Sequence, residues 1–441
     1  MSATVRTWKR PARGAPIEDT SIRETLLLAG IALLFALSVL GPVFTAPPGG
    51  VHMSSSGGGS TLRQINYLVV VGMILFALRP MADFRRLLTL TAPLTLALAW
   101  CWLSLSWSLA PGIAVRRLAL TTMLIWAVFA GVRHIGAEKS LTVMRGTLVL
   151  CLVANYVAVA GWPQIGIHTL AEAADPNIPG MWRGVMMHKN FAGASCALTI
   201  LTFLFDNRKE RIWQRVLVIA ASAFFLYKTG SKTSAGILGF SILTGLLYLR
   251  YNPKYRALCI PVGIILVTGA IYWSLTNADV FTAPFNTKTA FTGRVQIWPA
   301  LYAYASDHLW FGAGFGSFWD IGPASPIYRY ARDWVIDLSN GHNGYLDLFT
   351  TLGLPGLILV VVATMIWPLV RLFASFSIPP ALGALLISVL IFCMGHNLTE
   401  TSVFDRDVFL QIILMWTVAM VTVLDAPSWP KERLSREKPG G

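Results

Sequence analysis

Five short stretches of this sequence put cationic and imidazole side chains where an anion can be held and a proton moved. MWRGVMMHKNFAG carries Arg183, His188, Lys189 and Asn190, and SLAPGIAVRR carries Arg116 and Arg117. YKTGSKTS carries Lys228 and Lys232, TGRVQIW carries Arg294, and NGHNGYLDLF carries His342 and Asn343. A guanidinium makes paired bonds to phosphate oxygens that an ammonium cannot match geometrically. A helix starting near Asn190 would add amide donors and a favourable dipole for an anion. An imidazole takes or gives a proton near neutral pH. Together these groups suit an anionic lipid head. Taken singly, a Lys or Arg at a helix end reads equally well as an interfacial anchor, and a lone His there is more often structural. Lys228 and Lys232 read better as anchors or lipid-head contacts. Arg183, Arg294 and His342 stand out by the company they keep.

The elements that must position these residues are membrane helices. Of 441 residues, 55% are hydrophobic and only 13% charged, and mean hydropathy is +0.61. A soluble chain carries about twice that charged share. Disorder, a solenoid and a soluble Rossmann or barrel enzyme are thereby excluded. A crossing needs roughly 20 apolar residues in a helix. Such stretches fall at 25–44, 64–79, 87–107, 113–132, 142–162, 189–205, 212–229, 233–250, 257–275, 343–371, 379–398 and 406–424. They predict an all-α, polytopic membrane helix bundle of about twelve transmembrane helices. The second stretch is short and the tenth long, pointing to tilt or to an extension above the membrane.

The excess of 35 Lys and Arg over 21 Asp and Glu would hint at nucleic acid in a soluble protein. Here it follows from the surplus of Lys and Arg in cytoplasmic loops, which puts both termini in the cytoplasm. The chain divides into a basic tail (1–24), spans one to nine (25–275), a large outer loop domain between spans nine and ten (276–342), spans ten to twelve (343–424) and a second tail (425–441). The tail with Arg6, Lys9, Arg10 and Arg13 runs straight into the first span, which reads as permanent. Ser54–Ser60 is a flexible linker. The Arg, Lys and His set falls on the outer face, against the charge bias. Cys101, Cys151, Cys196, Cys259 and Cys393 lie apart in apolar stretches, predicting neither a disulfide framework nor a zinc site. Asp405 and Asp407 spell D-x-D at a helix start, where Asp complements the dipole better than it binds metal. The glycines of GAGFG (Gly312 to Gly316) suit a tight turn between Trp310 and Phe318. Tyr302, Tyr304, Trp310, Trp319, Tyr328, Tyr330 and Trp334 divide between a sugar-stacking platform and an interfacial belt.

Five segments resemble the bacterial O-antigen ligase and polysaccharide polymerase superfamily, and within it the exopolysaccharide polymerases of the ExoQ type. They are LSLSWSLAPGIAVRR (Leu103 to Arg117), WRGVMMHKNFAG (Trp182 to Gly193), TGSKTSAG (Thr229 to Gly236), the block from Thr292 to Trp319 with GHNGYLDLFTTLGLPGL (Gly341 to Leu357), and HNLTETSVFDRD (His396 to Asp407). Their order and spacing carry the likeness, over about residue 100 to the end. Thr401 stands where the polymerase-like ending often has Ser, a mild departure. The resemblance implies a GT-C-like fold in the bacterial inner membrane with a periplasmic active site. It implies an undecaprenyl-pyrophosphate-linked oligosaccharide as donor, with no metal, cofactor or nucleotide sugar. A flippase and a chain-length regulator would be its protein partners. Functional residues carry over to Arg183, Arg294 and His342.

On that footing Arg183 and Arg294 would stabilise charge on the departing diphosphate. His342 would act as general base or as a positioner of the acceptor hydroxyl. Asn343 would orient that hydroxyl or the imidazole, and Lys189 and Arg117 would serve the distal phosphate. His188, Asn190 and Lys232 complete the expected substrate contacts. Glu400 would bind acceptor or pair with an outer Arg. Direct displacement would invert the anomeric centre. Transfer to lipid A-core, as in the ligase branch, is the alternative. A transporter of glycan or lipid is a reading of another class. It would need broken helices and mid-membrane charges, whereas the charges here gather at helix ends. A structural assembly subunit would need none of the Arg and His pattern.

Overall fold

A computed structural model describes residues 17–45, 61–170, 178–205, 211–276 and 294–425. The tail residues Arg6 to Arg13, the Ser54–Ser60 linker, the start of the outer loop domain and the final basic tail lie outside the described residues.

A helix stands at each of the twelve expected positions. α1 (Ile17–Thr45), α2 (Thr61–Leu78), α3 (Ala92–Leu103), α4 (Pro111–Ile135) and α5 (Ala137–Gly161) come first. α6 (Lys189–Leu204), α7 (Ile212–Thr229), α8 (Lys232–Leu249) and α9 (Arg256–Thr276) follow. After a helix of the outer loop, α10 (Arg294–Asp307), come α11 (Gly344–Val361), its continuation α12 (Trp367–Ala374), α13 (Pro380–His396) and α14 (Phe409–Leu424). Among the described residues six helical segments are long and apolar enough to cross a membrane and five more are shorter but apolar. α7, with Gln214, Arg215 and Lys228, belongs to neither group. The only β pairing among the described residues is one bridge, Ile167 with Trp182. The chain is an all-helical, polytopic membrane protein.

Two expected boundaries moved for local reasons. The third span starts at Ala92 rather than at 87, because Pro93 favours the first helical turn. The long tenth element is a 31-residue apolar segment, Gly344–Ala374. It breaks at Gly353, whose φ of 68° is open to glycine.

The bundle is organised around α14. Every residue from Phe409 to Val421 is buried, as expected for a helix that is apolar all round. It packs on α4 and α13; α13 packs on α8, α6 on α7, and α1 on α2. Cross-links at the helix ends follow the alternating direction of the chain. At one end Arg63 pairs with Asp407, Asn155 accepts from the Val185 amide, and Asn343 donates to Ser274 at 2.8 Å. At the other Lys139 pairs with Glu24, Arg371 with Asp425, and Tyr248 donates to the Leu372 carbonyl. Described residues of the outer loop cover the first end with a small core of their own. Ile297, Trp298, Leu301, Phe318, Val335 and Leu346 meet there. Three glycines of GAGFG have positive φ (62°, 86° and 61°), so that turn is as tight as its composition suggested.

Candidate functional site

Three stretches of chain converge on one carboxylate, carried by a fourth, at the first end of the bundle. Glu400, in the loop between α13 and α14, is 5% exposed. Its Oε1 accepts from the Arg294 guanidinium and from the side-chain Nδ2 of Asn190 at 2.6 Å. Its Oε2 accepts from Nδ1 of His342 at 3.0 Å. Burial alone would raise the carboxyl, but Arg294 and then His342 outweigh it and hold Glu400 well below the usual carboxylate range. With Nδ1 committed to Glu400, Nε2 of His342 is the ring nitrogen left to face an incoming group. The His342 side chain remains 32% exposed, so an incoming molecule can reach it.

The backbone holds this arrangement from several sides. His342 has φ of 49°, an uncommon conformation for a side chain with Cβ, and one that packing must enforce. Asp347 does much of that. Its carboxylate accepts from the Gly341 amide at 2.9 Å, from Trp319 Nε1 at 2.7 Å and from the Thr401 hydroxyl. One buried side chain thus ties the residue before His342 to the residue after Glu400. Asn397 shapes the Glu400 loop. Its Oδ1 accepts from the amides of Ser402 and Val403 at 2.9 and 3.0 Å. Gly344 lets α11 start against it, since a Cβ there would sit 2.3 Å from Asn397 Oδ1.

A second group of imidazoles lies alongside. His188 caps α6, accepting from the Asn190 amide at 3.3 Å. Its ring lies 5.3 Å from that of His168, which accepts from the Lys189 amide at 3.2 Å. His188 is lowered to about 4: burial disfavours its charge, Glu400 opposes that, and His168, Lys189 and His342 reinforce it. His396 is fully buried at the end of α13, and among the described residues neither ring nitrogen has a partner. Glu400 and Arg294 are its charged neighbours. Nε of Arg294 is likewise buried without a partner among the described residues.

Of the residues expected from the sequence, Arg294, His342, Asn190 and Glu400 are joined directly. His188 and Lys189 adjoin them. Arg183 sits on the same loop as His188, but the bonds seen from its guanidinium run to the carbonyls of Ile165 and Gln164 at 2.7 and 3.5 Å. Asn343 is fully buried; it caps α11, accepting from the amides of Tyr345 and Leu346. Arg117 clamps the GAGFG turn through the carbonyls of Gly316 and Trp319 at 2.6 and 2.8 Å. Lys232 is exposed at the start of α8, and Lys228 lies 5.7 Å from the ring centre of Trp182. In the D-x-D stretch Asp407 pairs with Arg63 and Asp405 with Arg406. No group of three His, Cys, Asp or Glu with metal-holding geometry occurs among the described residues. The aromatic set divides: Tyr304 and Trp319 are buried, while Tyr302, Trp310, Tyr328 and Trp334 are exposed. Sequence reasoning did not single out Asp347 or His396, although both lie within the motifs GHNGYLDLF and HNLTE.

The described residues thus form an all-helical membrane protein with an Arg, Glu and His cluster at one end of its bundle. Residues 216–361 match the family described as O-antigen ligase. Over that segment, about a third of its length, the chain is similar to the O-antigen ligase and polysaccharide polymerase superfamily, which is the resemblance its motifs carry. Members of this family are glycosyltransferase-like ligases and polymerases. The matched segment contains Arg294 and His342, whereas Asn190 and Glu400 lie outside it. No curated protein matches the chain.

Proposed function

We propose that the protein is a periplasm-facing polysaccharide polymerase. It transfers a glycan from undecaprenyl pyrophosphate to a hydroxyl of another lipid-linked repeat unit, with inversion and without metal. The observation that carries the reading is Glu400 holding Arg294, His342 and Asn190 on its two oxygens. The acceptor hydroxyl oxygen attacks the anomeric carbon, and Nε2 of His342 takes the hydroxyl proton. The anomeric C–O bond breaks, and its electron pair leaves with undecaprenyl pyrophosphate. Glu400 orients the imidazole and stabilises the imidazolium as it forms. Charge on the leaving diphosphate is met by the Arg294 guanidinium, by Lys189 at the α6 N-terminus and by Arg183.

The orientation rests on charge. The end opposite the cluster carries Arg23, Arg85, Arg86, Arg133, Lys139, Arg215, Arg250 and Arg371. That concentration reads as cytoplasmic and leaves the cluster facing the periplasm of the inner membrane, with both termini inside. The polymerase branch is preferred to the ligase branch on the likeness of the HKN, SKT and NLTE segments to exopolysaccharide polymerases. A flippase and a chain-length regulator are the protein partners this role needs.

The test is reconstitution. Purified protein given only the lipid-linked repeat unit, with chelator present and no nucleotide, should lengthen the glycan and release undecaprenyl pyrophosphate. Transfer only to lipid A-core would replace the reading by the ligase one. No transfer to any acceptor by folded protein would remove it.

A further inference from the structure

A cavity lies next to the cluster, walled by residues adjoining His342 and Glu400 in the chain but by neither of them. Phe318, Trp319, Ser339, Asn340, Thr401 and Asp405 contribute to its wall. Two of these residues touch the cluster itself. Asn340 Oδ1 accepts from the His342 amide at 3.1 Å, and Thr401 directly follows Glu400. The far wall is Arg117, already bonded to the carbonyls of Gly316, Trp319 and Asp320. The cavity is built in advance. The amide of Phe404, another wall residue, donates to Gln411 Oε1 at 2.9 Å. Phe404 and Arg406 are held at φ of 56° and 40°, which persists only where the surroundings over-determine it.

We propose that this cavity is the subsite for the accepting sugar, a proposal that rests on the glycosyl-transfer reading above. The chemistry of the wall selects the ligand class. Aromatic rings, hydroxyls, a carboxamide and a carboxylate face one space, which fits a neutral polyol with an apolar face. The wall does not suit a diphosphate. Asp405 and Asp347 repel one, and the wall cations are engaged, Arg406 by Asp405 at 3.2 Å and Arg117 by three carbonyls. Arg294 and Lys189, which the proposed reaction assigns to the diphosphate, are not part of this wall. His342 links the cluster and the cavity, its ring holding Glu400 through Nδ1 and its backbone amide donating to Asn340 of the cavity wall. An acceptor hydroxyl reaching out of the cavity towards the imidazole would give up its proton there while its oxygen attacks the anomeric carbon on the face opposite the departing diphosphate.

The experiment uses full-length protein in nanodiscs. The probe is the oligosaccharide released by mild acid from the lipid-linked repeat unit of the source cells, with binding followed by saturation-transfer NMR. Ser339→Trp narrows the cavity from an exposed position, and Asp405→Ala removes one polar wall group. Ser339→Trp should abolish probe binding and raise KM for the acceptor by about tenfold or more, with KM for the donor unmoved. Asp405→Ala should move the same parameters less far. Both variants retaining wild-type probe binding and acceptor KM would overturn the proposal. Wild-type protein that binds the probe, loses that binding in Ser339→Trp and yet forms no polymer would support the subsite while removing the polymerase reading.

Discussion

Removing the charge of Glu400 separates what holds the cluster from what the cluster does. Glu400 and Arg294 are 5% and 6% exposed, and one nitrogen of that guanidinium already lacks a partner among the described residues. Glu400→Ala therefore strands a buried cation, a change that costs roughly 3–5 kcal/mol. It also removes the acceptor that orients His342. Glu400→Gln keeps the volume and one acceptor oxygen, so its stability cost should be about 1–3 kcal/mol. The neutral carboxamide cannot stabilise a forming imidazolium, and kcat should fall by about 10²–10⁴, the usual reach of general base catalysis. A third variant, Arg294→Met with Glu400→Met, removes both charges and should recover much of the stability lost in Glu400→Ala while staying inactive. Thermal unfolding in detergent reads the first quantity and polymer formation the second. Acid titration adds a sign. The unfolded carboxyl takes a proton near its ordinary pKa of 4.5, whereas the folded one stays ionised below that. The contribution is whole above that pH and is lost as pH falls below it, so Glu400→Gln should flatten the acid limb of the stability curve. A folded Glu400→Gln protein with kcat within about threefold of wild type would refute the role of Glu400 in the proton transfer. A double variant as unstable as Glu400→Ala would refute the buried-pair argument.

Three further predictions follow from neighbouring contacts. His188 is lowered to about 4, so the unfolded chain binds its proton first as pH drops. Stability should decline from about pH 6.5 towards pH 4, and a His188→Asn variant with an unchanged slope over that range would contradict this. Asn343→Ala removes the α11 cap and should cost about 1 kcal/mol through capping alone, with kcat falling because His342 precedes the cap; unchanged melting and turnover would deny it both effects. Arg294→Lys keeps the charge but not the planar fork and should lose at least about tenfold in kcat by the same polymer assay, whereas wild-type turnover would show that charge alone suffices.

The sequence by itself determined the class and the layout. Backbone groups in a bilayer must be satisfied within a helix, so runs such as 113–132 and 142–162 had one available structure, and the structure has α4 and α5 there. Residue type and company raised Arg183, Arg294 and His342 above the other basic groups at the outer ends of the spans, and the family resemblance pointed to the same three. The order of motifs was enough to point to the family. Tertiary structure decided which groups act as one. Nothing in the sequence ranked Glu400 above the other acids of a chain with 21 Asp and Glu, and 58 residues separate it from His342. Asn343 looked like a substrate contact until α11 took its carboxamide for a cap, and Arg183 drew its visible bonds from the 164–165 turn. Hydrophobic runs are local and survive in one dimension. A site assembled from the ends of α6, α10, α11 and α13 exists only once those helices have packed.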